Sequence, residues 1–523
     1  MKLWIVSMEC AGIAEAGGVK NVTFSLCKEF SLLNHSVTLF IPVFKCSSWD
    51  LIKDKKKLFS SQIQICGQVY TVNYFSAKCI DGNFDIIFID HPVFSEKEAI
   101  YTYTEHEFQL NNEHKKGNGH TDSKLMDILF QKAVAEYGSK IDKKFIPDIV
   151  HCQDASTAVL PAFLNEKEVF SKTKTVVTIH NCGPAYHHDF SSIGEAAWYT
   201  GLDTNLLSSS LNGLRCEPFL IAANSRSYLT TVSEDYAKEL LDPTNTEQTD
   251  GLSKIFAEKN ISIKGITNGF DFDRYNPQSK KESLLPFTFN PEKLELEGKY
   301  LCRQYFLNNI NSVENENLNI PGIKKYGFLE YSQDPKNDIY ICYHGRITFQ
   351  KGITILLDAI PSIIDNFDNV KFIIAGQGEQ NLENKIIHEA EVLAGRLIFI
   401  NGYDKALARL CTAVSDFAVL PSFFEPCGLE DFIAQVYGTI PLAHKTGGLN
   451  KIIDSESGFL YKKNKCEALI AKLSQVITVK ILKPGLINKI IKNGAVKVHK
   501  EYLWTNIVKK NYLKFFTEII KKN

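Results

Sequence analysis

The chain has 523 residues, 44% of them hydrophobic and 23% charged, which is too long for one ordinary core, so at least two domains are expected. A formal net charge of -1 gives no electrostatic case for nucleic acid or a membrane surface as partner. Thirteen cysteines without a C-x-x-C pair argue against a zinc ribbon and fit reduced thiols in a cytoplasm; the apolar start turns polar by Glu9, too soon for a signal peptide, and no apolar run nears the roughly 18 residues of a membrane helix.

Short apolar runs recur along the chain, bounded by polar or glycine-bearing loops and spaced by helix-length segments, as in parallel-sheet α/β proteins. They fall at 3–6, 37–41, 85–89, 149–151, 176–179, 229–232 and 263–266, then at 339–343, 370–374, 397–400, 417–420 and 440–443. The runs are continuous rather than alternating, as strands covered on both faces should be. This predicts a first α/β domain over 1–275 and a second over 338–504. Between them, 276–337 is rich in Asn, Glu, Lys, Ser and Pro, with a helical stretch near 293–306; it reads as a junction plus a surface insertion centred on 311–334. Helix-like apolar spacing returns toward the end, including 505–523.

After the first run, Glu15-Ala16-Gly17-Gly18-Val19-Lys20-Asn21-Val22 leads into an amphipathic stretch at 23–33. Two glycines at a strand-to-helix turn let backbone N–H groups approach an anion, with the helix N-terminus adding favourable polarity; the plain alternative is a turn. Asp154 closes the segment His151-Cys152-Gln153-Asp154 at the carboxyl end of a strand, where open α/β sheets bind ligands. Its alternative role is to cap the next helix. His180, in Thr178-Ile179-His180-Asn181, follows a strand in the same way. His187-His188-Asp189 has the residue types of a zinc site, yet adjacent histidines rarely face one ion, so no metal is expected. In Thr267-Asn268-Gly269-Phe270-Asp271, Asn268 is suited to hydrogen-bond a sugar or the backbone and Gly269 to make the turn.

In the second half, Arg346 and Lys351 stand in Gly345-Arg346-Ile347-Thr348-Phe349-Gln350-Lys351-Gly352, between a strand and the helical stretch 353–360. A guanidinium fork with an ammonium five positions on neutralises the charge growing on a diphosphate leaving group without a metal. Gly376-Gln377-Gly378 suits a turn near a nucleotide. Phe424-Glu425-Pro426-Cys427-Gly428-Leu429 and Lys445-Thr446-Gly447-Gly448-Leu449 bring a carboxylate and two glycine turns to one side of the domain, where a phosphorylated sugar could sit.

These segments resemble the nucleotide-sugar site of the glycogen and starch synthases, and the likeness runs from Ile5 to about Phe459. It implies a GT-B fold: two facing Rossmann-like domains with parallel sheets and an interdomain cleft, acceptor on the first side, donor on the second, and helix 505–523 packing back on the first. It implies a retaining glucosyltransferase that moves glucose from a nucleoside diphosphate glucose, ADP-glucose ahead of UDP-glucose, to the nonreducing 4-hydroxyl of an α-1,4-glucan such as glycogen, with no cofactor. The catalytic residues would be Glu425, His180, Arg346 and Lys351, with Glu425 holding the sugar's hydroxyls rather than acting as a covalent nucleophile. Gly17, Gly18, Asn268, Tyr403, Cys427, Gly428, Leu429, Thr446, Gly447 and Gly448 would bind the donor, with Tyr403 beside the base and Cys427 a small group in the pocket. Asp154 and Glu15 would meet sugar or acceptor. The rivals are a catalytically weak glucan-binding or regulatory homologue and a transferase with another donor or acceptor.

The largest departure from the family is at the glycine loop, typically Lys-Thr-Gly-Gly-Leu-Gly-Asp-Val. The glycines match, but the lysine position is Glu15 and the Gly-Asp pair is Lys20-Asn21. A carboxylate about 4 Å from a phosphate charge would oppose it by roughly 4 kcal/mol at an effective dielectric near 20. The exchange demands compensation, a changed geometry or a different role. Lys20 is a candidate for the missing charge, and Glu15 for hydrogen bonds from sugar hydroxyls or an arginine. After Asp154, the family's tryptophan and histidine are Ala155 and Ser156.

Overall fold

The computed structural model describes residues 1–311, 318, 320–330 and 337–522. The chain forms two compact units: Met1–Gly269 together with the segment from Trp504 onward, and Phe270–Leu503.

The strands of the first unit are β1 (Lys2–Val6), β2 (Ser36–Pro42), β3 (Ile52–Ile65), β4 (Gln68–Cys79), β5 (Asp85–Asp90), β6 (Ile149–Gln153), β7 (Lys174–Ile179), β8 (Leu211–Asn212), β9 (Arg215–Cys216), β10 (Tyr228–Thr231) and β11 (Ile263–Gly265). All but the small β8–β9 ribbon join one sheet in the order β11-β10-β7-β6-β1-β2-β5-β4-β3. From β11 through β5 the pairing is parallel, with Leu3 opposite Val37 on one side and Ile149 on the other. The apolar runs supply this register because both faces are covered. The chain builds outward from β1 toward β5, then restarts at β6 and builds the other way. Loops leaving the carboxyl ends of β1 and β6 therefore part, and a crevice opens between them.

The antiparallel β3–β4 hairpin lies outside the expected runs. Its register shifts between Lys53/Lys56 and Lys57/Phe59, and its first half is polar and exposed. A charged, bulged strand protects a sheet edge and needs no apolar run. On the opposite part of the unit, the last segment docks through Phe516, stacked on Phe30 at 5.5 Å, and through Thr505 Oγ1, which donates to Glu29 at 2.7 Å.

In the second unit, β12 (Lys324–Leu329), β13 (Ile339–His344), β14 (Val370–Gly376), β15 (Arg396–Asn401), β16 (Phe417–Leu420), β17 (Ile440–His444) and β18 (Phe459–Tyr461) form a sheet ordered β12-β15-β14-β13-β16-β17-β18. Only β12 is antiparallel. Ile341, Ile374, Phe399, Val419 and Leu442 fill one face, together with Leu356, Ile360 and Ile363 of helix Ile353–Asn366. The strand order reverses between β13 and β16, which places a second crevice at their carboxyl ends.

The division falls at Gly269/Phe270 rather than at 275, and the described part of 276–337 belongs to the second core rather than to a junction. Helix Glu297–Asn309 buries Cys302, Phe306 and Leu307. Its Arg303 pairs with Asp416 at 3.0 Å, and its Lys299 donates to the Ala413 and Tyr437 carbonyls at 2.6 and 3.1 Å. Polar residues here satisfy helix-end carbonyls inside the fold, so their polarity does not mark a surface. The expected insertion centred on 311–334 falls largely on 312–317, 319 and 331–336, outside the described residues.

Candidate active site and family

In the first unit the loop after β1 folds around Glu9. This carboxylate is 1% exposed and accepts the N–H groups of Gly17 and Ala16 at 2.6 and 3.0 Å. Burial pushes its carboxyl above the ordinary range. The Gly17 N–H is thus committed inside the protein rather than offered to an anion, while Gly18 is open, with no atom within 4 Å of where a Cβ would stand. Glu15 accepts from the Gly12 N–H at 2.7 Å and from Lys20 Nζ at 2.9 Å. The carboxylate that replaces the family's lysine is therefore neutralised within its own loop.

Asp154 sits at the end of β6 with φ 66° and ψ -180°, a conformation that costs a non-glycine residue about 1–3 kcal/mol. It makes no side-chain cap to the following helical turn; its Oδ1 instead accepts the His180 N–H at 3.3 Å. Burial pushes the carboxyl up to about 7, against the His188 charge and the backbone N–H groups of His180, Ala155 and Asn181. His180 Nε2 donates to the Gln153 amide oxygen at 2.8 Å, and burial holds this imidazole neutral, its pKa lowered to about 3. Asp154 and His180 are thus joined across the ends of β6 and β7.

The side chains of His187-His188-Asp189 diverge. His187 Nδ1 meets Glu217 at 3.0 Å, His188 Nδ1 meets Asp127 at 2.7 Å, and Asp189 pairs with Arg215 at 3.0 Å. Asn268 is anchored by its N–H to the Val232 carbonyl at 3.2 Å, and its buried Oδ1 has no partner among the described residues. Gly269 has no positive φ; a Cβ there would lie 2.5 Å from Trp504, so close approach rather than a turn requires the glycine.

In the second unit, Lys351 Nζ lies 2.5 Å from Glu425 Oε2, which Ser422 Oγ also reaches at 3.0 Å. Burial opposes ionisation of Glu425, but the Lys351 ammonium outweighs it and holds the carboxyl below its usual range. Arg346, on the same loop as Lys351, is exposed and forms no ion pair among the described residues. The glycine turns lock onto each other: a Cβ on Gly448 would stand 2.0 Å from the Cys427 carbonyl oxygen, and the Gly448 N–H donates to the Glu425 carbonyl at 2.8 Å. Thr446 Oγ1 donates to the Phe423 carbonyl at 3.3 Å. Leu429 precedes helix Glu430–Val436, and Gly428 takes a left-handed φ of 77°. Gly447 opens the turn Gly447–Lys451 with φ 42°. Tyr403 is 61% exposed just after β15, its ring open to solvent rather than part of the core.

Several residues of this architecture escape a reading of the sequence. Glu9 carries one signal, a carboxylate directly after the first strand. Tyr101, Asp127 and Lys451 carry none. Lys451 Nζ donates to the Cys427, Gly428 and Gly448 carbonyls at 2.5, 3.2 and 3.0 Å and pairs with Asp431 at 2.9 Å, which holds the two turns together.

Residues 2–256 match the family described as starch synthase catalytic domain, and residues 330–496 match glycosyl transferases group 1. The glycogen synthase of Thermodesulfovibrio yellowstonii is 29% identical, over 99% of this chain and 98% of its own length. That of Mycoplasma mobile is 27% identical over 98% of each. The fold matches the catalytic domain of starch synthase IV from Arabidopsis thaliana, solved with ADP and acarbose, with a TM-score of 0.79 and 22% identity over 100% of this chain and 99% of that one. Matched along both units and carrying the Lys351–Glu425 site at the second crevice, the chain belongs to the glycogen and starch synthase family, as a GT-B hexosyltransferase of the glycogen synthase type.

Proposed function

We propose that this chain transfers glucose from ADP-glucose, with retention of configuration, to the nonreducing 4-hydroxyl of an α-1,4-glucan. The carrying observation is the Lys351–Glu425 pair, 2.5 Å apart at the crevice between β13 and β16, with Arg346 exposed on the loop that carries Lys351. In the reaction the bond from C1 of glucose to the diphosphate oxygen breaks and a bond from C1 to the acceptor O4 forms. The hydroxyl proton passes to the departing phosphate. Arg346 and Lys351 take the charge growing on that phosphate, with no cofactor in the step. Glu425 holds the sugar's hydroxyls and favours the positive charge on its ring, and in the first unit His180, held neutral by burial, is assigned a catalytic role. Gly428, Gly447, Gly448 and Thr446 shape the donor pocket, Cys427 and Leu429 line it, and Tyr403 offers its ring to the base. Within the first unit, Gly18 and Asn268 are assigned to donor binding and Asp154 to sugar or acceptor.

ADP in the Arabidopsis starch synthase IV structure supports an adenine donor. The Glu15–Lys20 pair meets the demand for compensation and supports a working loop over a catalytically weak homologue. A cytoplasmic setting is supported by thirteen free cysteines, and no helix among the described residues is long and apolar enough to cross a membrane.

The test is to incubate the pure chain with ADP-glucose or UDP-glucose, with and without glycogen, and to follow nucleotide release and chain elongation. Glycogen-dependent release that is faster with ADP-glucose is expected. Glycogen binding without turnover on any donor would sink the reading.

A further inference from the structure

Gln153 ends β6 and Asp154 follows it, and both hold His180, the residue after β7. Side chains of consecutive strand residues ordinarily point to opposite faces. The backbone leaves the strand conformation at Asp154, with φ 66°, and the two side chains then reach one residue. Asp154 Oδ1 accepts the backbone N–H of His180 at 3.3 Å, and the Gln153 amide oxygen accepts its ring Nε2–H at 2.8 Å. Gln153 is 1% exposed and His180 9%, so little water competes for the ring contact. His180 is the one side-chain partner of this amide among the described residues, the Gln153 Nε2 being buried and unbonded. A neutral imidazole carries one ring proton, and a carbonyl oxygen can only accept. The contact therefore puts the proton on Nε2 and leaves Nδ1 a lone pair. An amide turned end for end would donate instead and send the proton to Nδ1. The two tautomers exclude each other, and Gln153 decides between them. His151, two positions earlier on β6, is engaged elsewhere, its Nε2 lying 2.6 Å from Thr178 Oγ1.

We propose that Gln153 is a positioning residue for the glucosyl transfer: by accepting the Nε2–H of His180 it fixes the tautomer in which Nδ1 meets substrate as a hydrogen-bond acceptor and never as a donor. This rests on the transfer reading above and on the catalytic role given there to His180. The choice of tautomer matters because positive charge grows on the sugar ring as its bond to the diphosphate breaks. A lone pair accepts from a sugar hydroxyl and favours that charge, whereas an N–H dipole aimed the same way opposes it. Asp154 fixes the backbone of His180 and Gln153 fixes its ring, so the two neighbours divide the work. Burial agrees with the arrangement, since it lowers the His180 pKa to about 3 and keeps the ring neutral. A protonated ring would donate from both nitrogens, and the selection made by Gln153 would be lost.

The test combines nitrogen NMR of the full chain labelled at histidine, with the His180 signals assigned by their loss in His180→Gln, and transfer kinetics with ADP-glucose and glycogen. Wild type, Gln153→Leu and Gln153→Glu are compared. Wild type is expected to carry the proton on Nε2, and Gln153→Leu to show a mixture of tautomers. Its kcat should fall about tenfold, the worth of one hydrogen bond, with the donor KM changed by less than about twofold. Gln153→Glu keeps an acceptor and so should keep the proton on Nε2. Its carboxylate also favours the charged ring, so His180 should gain a second proton at a pH about one to three units higher than in wild type. Asp154 and His151, the other titratable groups beside it, are unchanged in this variant. The kcat of Gln153→Glu should therefore recover toward wild type at alkaline pH and fall earlier on the acid side. A proton on Nδ1 in wild type overturns the proposal, as does an unaltered tautomer or an unaltered kcat in folded Gln153→Leu, or a loss confined to the donor KM. If Gln153→Leu fails to fold, Gln153→Glu decides, and an unmoved acid limb overturns the proposal. If neither folds, the wild-type tautomer decides alone. A chain that turns over no donor overturns the transfer reading, and the role of Gln153 then stands or falls on the tautomers.

Discussion

The ammonium of Lys351 and the carboxylate of Glu425 share a contact of 2.5 Å, although 74 residues separate them. The pair is built by strands β13 and β16, neighbours in the sheet but distant in the chain, so the second unit arrives with its charges already placed. Lys351→Ala and Glu425→Ala are each expected to lower kcat for glucosyl transfer by about 10²–10³-fold. Because both remove one interaction, the double variant should be far less impaired than the product of the singles. Nucleotide release with saturating glycogen reads this, and strictly multiplicative losses would show that the two residues act separately.

The Glu15–Lys20 pair makes a prediction about donor binding. Lys20→Ala leaves the Glu15 carboxylate without the ammonium at 2.9 Å, so the donor KM should rise about two- to tenfold. Glu15→Ala should have a smaller effect, and the double variant should recover most of the loss. Glu15→Lys tests donor preference directly through the ratio of kcat/KM for ADP-glucose and UDP-glucose; an unchanged ratio would mean that the loop does not set the preference.

Stability at acid pH depends on Asp416. Burial opposes its ionisation, but Arg303 at 3.0 Å, Lys480 at 2.9 Å and the Tyr340 N–H at 2.9 Å hold its carboxyl well below the usual carboxylate range. A depressed folded pKa stabilises the fold above the unfolded value of about 3.9, and this stabilisation is lost as pH falls below it. Asp416→Asn should cost about 3–5 kcal/mol at pH 7, because the buried Arg303 and the partly buried Lys480 lose their partner. Urea unfolding at pH 7 and pH 3 checks the sign: the gap to wild type should narrow at pH 3, and an equal gap would exclude the linkage.

The end of the chain stabilises the first unit through Phe516 on Phe30. Phe516→Ala should destabilise that unit by about 3–5 kcal/mol. Gly269→Ala should act at the same dock, since its Cβ would meet Trp504 at 2.5 Å. Pulse proteolysis in urea should show fragments of the first unit released before the second, and simultaneous loss of both would count against a local role.

Much of the fold is legible in the residues because fully covered strands must be continuously apolar; the runs at 3–6, 339–343 and 417–420 correspond to β1, β13 and β16. The β3–β4 hairpin is not legible, since its lysine-rich edge carries no such run. Helix Glu297–Asn309 misleads for the opposite reason: Lys299 and Arg303 are charged yet buried, held by helix-end carbonyls and Asp416 that only the folded chain brings near. The site divides in the same way. Arg346, Lys351 and Glu425 stand in local patterns after strands, whereas Tyr101, Asp127 and Lys451 act through partners tens of residues away.

By itself, the sequence determines two parallel α/β sheets and the loops that bear chemistry, because apolar continuity and glycine spacing are local properties. It also exposes a discordant charge in the glycine loop, Glu15. Only the tertiary structure decides what that residue means, because charge compensation depends on distance: Lys20 stands 2.9 Å away and cancels it. Likewise His187-His188-Asp189 offers metal-ligand types in a row, and the fold sends the three side chains to Glu217, Asp127 and Arg215 instead. Residue type sets what a group can do; the direction in which the backbone points it sets which of those things it does.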